Sequence, residues 1–383
     1  MHSVKSAILF SITAYKETKL THLRDVTTLV VGTGPAGVMA AYYAAAKGPV
    51  LMIDTFTLPR DKSCGGMIHP LSQNILNEIA ALPDELLLDP PSVQFRFNDW
   101  DRQIIKNVDL HFLNVDRIPF DEWMISLLPE NVEIMDATSF VSHEVDADGR
   151  LVSKLRKHGG EIVHVISNHI VGADGPRSTV RKSIDLPAYN RYITVQDYCK
   201  REGHIDPAFD CFYFPNIRGF AAGYIIPKDD RVLIGCIFFP NTRRAHESQD
   251  KILAKLRERL PIGESLKREG WIAPRHKTAD DVGWGMVAGK GAIFLAGEAG
   301  GFISPTSGEG ISWALDTGKS VGQVIAQHDD PQAMLDDYKQ RSMHLKKMIA
   351  FRLRIYPFMV SDWGKKMMKF IPQWVISRVT QHL

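Results

Sequence analysis

Thr27-Thr28-Leu29-Val30-Val31-Gly32-Thr33-Gly34-Pro35-Ala36-Gly37-Val38-Met39-Ala40-Ala41, continued by Pro49-Val50-Leu51-Met52-Ile53-Asp54, decides the fold of this chain. Thr27 to Val31 is a β-branched run and Gly37 to Ala46 is alanine-rich without a breaker, so the glycines lie between a strand and a helix. Gly32 permits the tight turn, Gly34 lets backbone approach a pyrophosphate, and Gly37 permits close helix–strand packing. Pro35 and Ala36 belong to the same turn, and the helix N-terminus offers open N–H groups and a positive dipole end to phosphate. The second strand ends in Asp54, 22 residues after Gly32. A carboxylate there accepts hydrogen bonds from both ribose hydroxyls and repels a 2′-phosphate, which suits the adenosine of FAD or NAD and disfavours NADP.

The chain has 383 residues, too many for one simple core, so two intimately packed domains are expected. With 44% hydrophobic and 23% charged residues and a net charge of +2, neither disorder nor a nucleic-acid partner is indicated. Cys64, Cys199, Cys211 and Cys236 have no metal-ligand spacing and read as thiols, with no metal site expected. No apolar run approaches the roughly 18 residues of a spanning helix, and the first 26 residues lack a clear cleavage site. A cytoplasmic protein is expected.

Two later segments complete the pattern. Ala292-Ile293-Phe294-Leu295-Ala296 reads as a buried strand delivering Gly297-Glu298, followed by Pro305, Gly308, Gly310 and an apolar helix from Ile311. His169-Ile170-Val171 delivers Ala173-Asp174-Gly175 before a helix start at Ser178. Together with the first motif these segments resemble the FAD fingerprints of the flavoprotein hydroxylase and geranylgeranyl reductase superfamily. The resemblance implies non-covalent FAD. Glu298, where that superfamily usually has Asp, would bond the ribityl chain. Pro305 would pack near the isoalloxazine ring, and N–H groups from Gly308 to Ile311 would face N1 and O2 of reduced flavin. Asp174 would contact the pyrophosphate region, and Arg117 matches an arginine that these proteins place near the cofactor.

Ser63-Cys64-Gly65-Gly66-Met67 narrows the family. It resembles the Cys-Gly-Gly signature of geranylgeranyl reductases, and with Gly-Glu-Ala-Gly-Gly-Phe-Ile-Ser from Gly297 it is similar to their CbrA-like bacterial branch. The resemblance implies an α/β fold: a Rossmann-like FAD-binding domain with an interleaved, mostly antiparallel substrate sheet and a C-terminal helical tail. The departure lies in the substrate strand. Where the family often has Tyr-x-Trp-x-Phe-Pro-Lys, this chain has Ala222-Gly223-Tyr224-Ile225-Ile226-Pro227-Lys228, keeping Pro227 and Lys228 and changing both large aromatics.

The FAD-binding domain is expected at 27–90, 113–187 and 286–335, and the substrate domain at 91–112 and 188–285, after an extension at 1–26. Phe212, Phe214 and Tyr224 are the candidates for a substrate pocket between the two. Cys64 has two open readings, a structural thiol at a tight turn or a proton donor beside the flavin; His69 is the alternative proton carrier, weighed against a structural histidine. No second glycine fingerprint is seen for a nicotinamide domain. The external donor, NAD(P)H or a ferredoxin-type electron-transfer protein, therefore stays open. The implied reaction is reduction of a carbon–carbon double bond in a prenyl-type or other apolar substrate, with hydroxylation of an aromatic or modified peptide substrate as the alternative.

Residues 336–383 form a basic helical tail. From Lys339 on it holds ten Lys and Arg against one acid, Asp362, interspersed with apolar residues. Two readings stay open for it: a peripheral helix on an anionic membrane, or a cap whose basic face meets water.

Overall fold

The computed structural model describes residues 23–100, 103–214, 216–240, 244–276, 286–361, 363, 364, 367 and 370–372. The first strand, β1 (Leu23–Val31), is fully buried over its last four residues, the β-branched run that precedes the glycines. Then come α1 (Pro35–Ala44), β2 (Val50–Ile53), β3 (Met67–Ile68), α2 (Pro70–Asn77), β4 (Leu87–Asp99), β5 (Ile104–Val115), α3 (Arg117–Ser126), β6 (Val132–Met135), β7 (Thr138–Val145), β8 (Leu151–Lys157) and β9 (Ile162–Gly172). The second half contains α4 (Thr179–Ser183), β10 (Asn190–Arg201), β11 (Ala208–Phe212), β12 (Phe220–Lys228), β13 (Arg231–Phe238), α5 (Ala245–Arg257), β14 (Ile262–Arg275), β15 (Gly289–Lys290), β16 (Ile293–Leu295), α6 (Ile311–Gln327), α7 (Pro331–Arg341) and α8 (Met343–Val360).

One sheet carries the parallel run β16-β9-β1-β2-β6, with β15 antiparallel at one edge and the β7–β8 hairpin joined through β9. Its register fixes the site. Val31 lies opposite both Ile53 and Gly172, and Gly172 lies opposite Leu295. The four strands therefore end together, and the segments that follow them emerge at the carboxyl edge where ligands of such sheets bind. Over that sheet α1 and α6 pack backbone to backbone, since a Cβ on Gly318 would lie 2.2 Å from the Ala36 carbonyl oxygen.

The second sheet has the order β14-β10-β13-β12-β11-β4-β5-β3, with β11 and β4 parallel. Period-two alternation divides its residues between two faces. Val195, Phe212, Ile225 and Ile234 pack beneath Ile252, Leu253 and Leu256 of α5. Tyr224, Ile226, Leu233, Phe209 and Phe112 gather with Met67 in a different cluster.

Three expected boundaries shift. Strand β1 reaches back to Leu23, inside the expected extension, while residues 1–22 lie outside the described residues. The second sheet begins at Leu87, not at residue 91, and includes β3, because Met67 and Ile68 pair with Asn114 and Leu113. The Cys64 loop thus runs straight into the second sheet. At the C-terminus, Leu345, Ile349 and Leu353 of α8 pack on Phe302 and Trp313, so the start of the tail caps the FAD-type domain. The tail beyond Ile371–Pro372 lies outside the described residues.

Candidate functional site

The glycine-rich turn is held by backbone contact. Gly32 has a φ of +107°, and a Cβ on it would lie 2.3 Å from the Ala173 carbonyl oxygen, so β1 and the segment after β9 meet without a side chain between them. A Cβ on Gly37 would lie 1.9 Å from the Gly32 carbonyl oxygen. Gly34 caps α1 without any side-chain bond, with Pro35 and Ala36 in its buried first turn, which leaves the helix's first N–H groups open to an anion.

From this turn a line of alternating charges crosses the groove. The Asp54 Oδ2 accepts from the Thr33 backbone N–H at 3.0 Å, the Thr33 hydroxyl at 2.7 Å and Arg60 Nε at 3.1 Å, while Oδ1 accepts from the Phe56 N–H at 3.0 Å. The other end of Arg60 lies 3.8 Å from Asp121. Asp121 in turn accepts from Arg117 through Nε at 3.0 Å and Nη2 at 2.9 Å, one helical turn back on α3. Burial works against the charge on Arg117, but Asp121 and then Cys64 outweigh it and hold the guanidinium above its ordinary value. A cavity of about 270 Å³ lined by Thr33, Pro59, Arg60, Ile118 and Asp121 opens beside this line.

At the opposite end of the groove Glu298 meets Lys62 at 3.4 Å, and a Cβ on Gly175 would lie 3.8 Å from its Oε2. Asp174 caps α4, its Oδ2 accepting from the N–H groups of Thr179 at 2.6 Å and Val180 at 3.2 Å. Its Oδ1 is buried without a partner, and burial raises its carboxyl above the usual range. Pro305, Gly308 and Gly310 form the turn into α6, where Gly310 is the cap residue and makes no side-chain bond. Gly308 reaches the second sheet, where a Cβ would lie 3.7 Å from Ile237.

Between these ends lies Cys64. Its sulfur accepts from the Gly66 N–H at 3.5 Å, and Arg117 and Lys228 are both close enough for their charges to act on it. Lys228 is fully buried and donates to Val115 O at 2.7 Å and Asn114 Oδ1 at 3.0 Å, with Asp116 at 3.7 Å. Burial pushes its ammonium down to about 8, against Asp116 and Cys64. The lysine supports the loop from below, since a Cβ on Gly66 would lie 3.1 Å from Nζ. Gly65 packs on Ile226 and Tyr224, and the Tyr224 hydroxyl donates to Gln196 at 3.2 Å.

The structure corrects one sequence expectation and gives the surroundings of another candidate. Phe212 and Phe214 do not line a pocket; they are buried in the core beneath α5, because the alternation of β11 turns Phe212 toward that helix and gives Phe209 the face shared with Tyr224. His69 is placed as a helix cap. Its Nδ1 accepts from the Leu71 N–H at 3.0 Å as the cap of α2, and burial, followed by the charge of Arg352, lowers its imidazole to about 4, so it is neutral near pH 7. It borders a separate cavity of about 520 Å³ with Leu71, Ser92, Asp109 and His111.

Arg60, Lys62, Asp121 and Arg352 escape the sequence reading. Asp121 was readable, standing four residues after Arg117 on a helix. Arg60 and Lys62 are the basic residues of the loop joining Asp54 to Cys64. Nothing local marks Arg352.

The groove fits FAD: an uncapped helix N-terminus at Gly34, the buried acid Asp54 beside it, a second acid, Glu298, at the far end, and a glycine turn with no room for side chains. A family model described as FAD binding domain matches residues 25–351. The chain is 28% identical over 329 residues to Protein CbrA of Escherichia coli O6:H1, covering 83% of this chain and 85% of that protein. Among solved structures it is similar to a geranylgeranyl bacteriochlorophyll reductase-like protein from Thermoplasma acidophilum, with a TM-score of 0.70 and 21% identity over 93% of this chain and 90% of the other. It also resembles aklavinone-11 hydroxylase in complex with FAD and aklavinone, with a TM-score of 0.67 and 18% identity over 89% and 71% of the two chains. At these identities the two structures establish a shared fold.

Proposed function

The chain belongs to the FAD binding domain family, and on that premise we propose that it is an FAD-dependent oxidoreductase that reduces carbon–carbon double bonds of a prenyl-type or similarly apolar substrate. The observation that carries this reading is the surrounding of Cys64. Its loop has charged groups of the FAD-binding domain on one side and the apolar wall of Tyr224 and Ile226 on the other. Bound FAD supplies hydride chemistry once an external donor, NAD(P)H or an electron-transfer protein, has reduced it. The chain binds the pyrophosphate at Gly32 to Gly37, orients the ribose through Asp54 and the ribityl chain through Glu298, and holds a proton at Cys64 Sγ for the second alkene carbon.

One observation favours the alternative of a hydroxylase. Tyr224 and Gln196 form a polar pair on the same wall, and Gln196 donates onward to Glu269 at 2.8 Å, a chain suited to a phenolic or amide substrate. Anaerobic reduction of the FAD-loaded protein, followed by separate exposure to oxygen and to a prenyl lipid, decides between them. Rapid reoxidation by the lipid with a saturated product supports the reductase. Reoxidation by oxygen alone, coupled to hydroxylation, overturns it.

A further inference from the structure

Arg352 lies on α8, in the part of the chain whose cations read from sequence as candidates for a membrane surface. The fold uses it differently. Its side chain is only 1% exposed, its Nη1 donates to Ser304 Oγ at 2.6 Å, and its guanidinium stands 5.3 Å from the ring centre of Trp313. Ser304 holds together the turn that the resemblance would set against the flavin: its N–H donates to the Glu309 carbonyl at 2.9 Å, its carbonyl accepts from the Gly308 N–H at 3.0 Å, and its hydroxyl accepts from Ser307 at 2.7 Å. Trp313 is on the first turn of α6, directly after Gly310 and Ile311. One buried cation therefore touches both the turn and the helix start that follows it.

The same charge acts on a carboxyl in that turn. Glu309 Oε1 accepts from the Ser312 N–H at 2.9 Å and its hydroxyl at 2.5 Å, and its Oε2 is shielded from solvent with no partner. Burial raises the Glu309 carboxyl, and Arg352 opposes that rise. Burial likewise lowers the Arg352 guanidinium to about 10, with Glu309 opposing, so it stays charged near neutral pH. A buried charge in a poorly screened region acts more strongly on its neighbours than an exposed one at the same distance.

We infer that Arg352, supplied by the C-terminal helix, is a positioning and electrostatic residue of the cofactor site, fixing the Ser304–Gly310 turn and favouring the negatively charged, reduced form of the flavin. The N-terminal end of α6, which starts at Ile311, carries positive partial charge of the same sign. The C-terminal helix is then part of the redox site as well as a cap. A purely structural arginine would affect stability and leave the flavin's potential unmoved.

The inference rests on FAD occupying the groove, so flavin content is measured beside the potential. Full-length wild type, R352M and R352K are loaded with FAD and titrated anaerobically against a reference dye. R352M is expected to retain FAD while its reduction equilibrium shifts about tenfold toward the oxidised form, which for a two-electron couple is about 30 mV more negative. R352K, keeping the charge, recovers most of the shift. R352M with bound FAD and the wild-type potential overturns the inference. A wild type that takes up no FAD sinks the cofactor reading itself, a different and recognisable failure. If R352M does not fold, S304A decides: releasing the guanidinium from the turn should move the potential in the same direction, and an unchanged potential in FAD-loaded S304A overturns the proposal.

Discussion

Side chains at the cofactor turn differ in how much room each has, and this separates glycines that a motif treats alike. A Cβ on Gly34 would lie 3.0 Å from the tip of Arg60, a flexible group that can move aside, whereas a Cβ on Gly37 meets backbone at 1.9 Å. G34A is therefore expected to keep the fold and its thermal stability while weakening FAD binding at the pyrophosphate, whereas G37A forces α1 off β1 and loses both FAD and thermal stability. Flavin absorbance and a melting curve check the pair; equal behaviour contradicts the packing argument. Cys64→Ser nearly preserves volume, so FAD content should persist while turnover falls by roughly 10²-fold if the thiol supplies the proton. Unchanged turnover assigns Cys64 to the turn's structure. His69 gives a pH signature. Its folded value of about 4 lies below its ordinary 6.5, so on acidification the unfolded chain takes up a proton before the folded one does. The stability from keeping His69 neutral is complete above pH 6.5 and is lost as pH falls toward 4, by about 3 kcal/mol. H69N keeps a capping side chain, and denaturant titrations across that window should show a shallower loss than wild type, by up to one proton. Parallel curves refute it.

At the scale of elements, the loop from Asp54 to Gly66 links the two ends of the cofactor groove. Arg60 ties it to Asp54 and Asp121, Lys62 to Glu298, and Asp61 to Lys267 of β14 in the second sheet. Asp54 keeps its bonds from Thr33 and Phe56 when Arg60 is removed, so R60M is expected to fold and to bind FAD at least tenfold more weakly, measured by fluorescence titration. An unchanged affinity would make Arg60 a bystander. Strand–turn–helix units were legible because each is written in adjacent residues: an apolar strand, glycines at fixed offsets, an uninterrupted helix. The partners of Asp54 and Glu298 were not, because the loop residues reach them only after separate strands have been brought into register. The two faces of β11 also look alike in sequence, since Phe209 and Phe212 are both apolar and only the placement of α5 decides which is core. The charge line from Asp54 to Cys64 is a product of the assembled sheet. Its one readable link is the single-turn spacing of Arg117 and Asp121.

Over the whole molecule, the C-terminal helix has two faces with different fates. Leu345, Ile349, Arg352 and Leu353 turn inward, whereas Lys347, Phe351, Arg354 and Phe358 are exposed and share one helical face. Farther along, Trp363 packs edge-on against Phe358 and remains 63% exposed, and Phe370 is 74% exposed. No helix among the described residues is long and apolar enough to cross a membrane. Alternating cations and aromatics on an outward face suit the boundary of an anionic bilayer, and we propose that the molecule takes an apolar substrate there. Each cation near anionic lipid should contribute about 1 kcal/mol, and the aromatics add burial. Sedimentation with anionic vesicles should then be strong in low salt and weaken toward physiological ionic strength, where the Debye length shrinks to about 8 Å. Reversing Lys346, Lys347, Lys365 and Lys366 to Glu should abolish binding, and flavin content measured beside it should stay at the wild-type level. Neutral vesicles should bind weakly in both proteins. If wild type stays in the supernatant with anionic vesicles at low salt, α8 serves the molecule only through its inner face, and the substrate reaches the groove from solution.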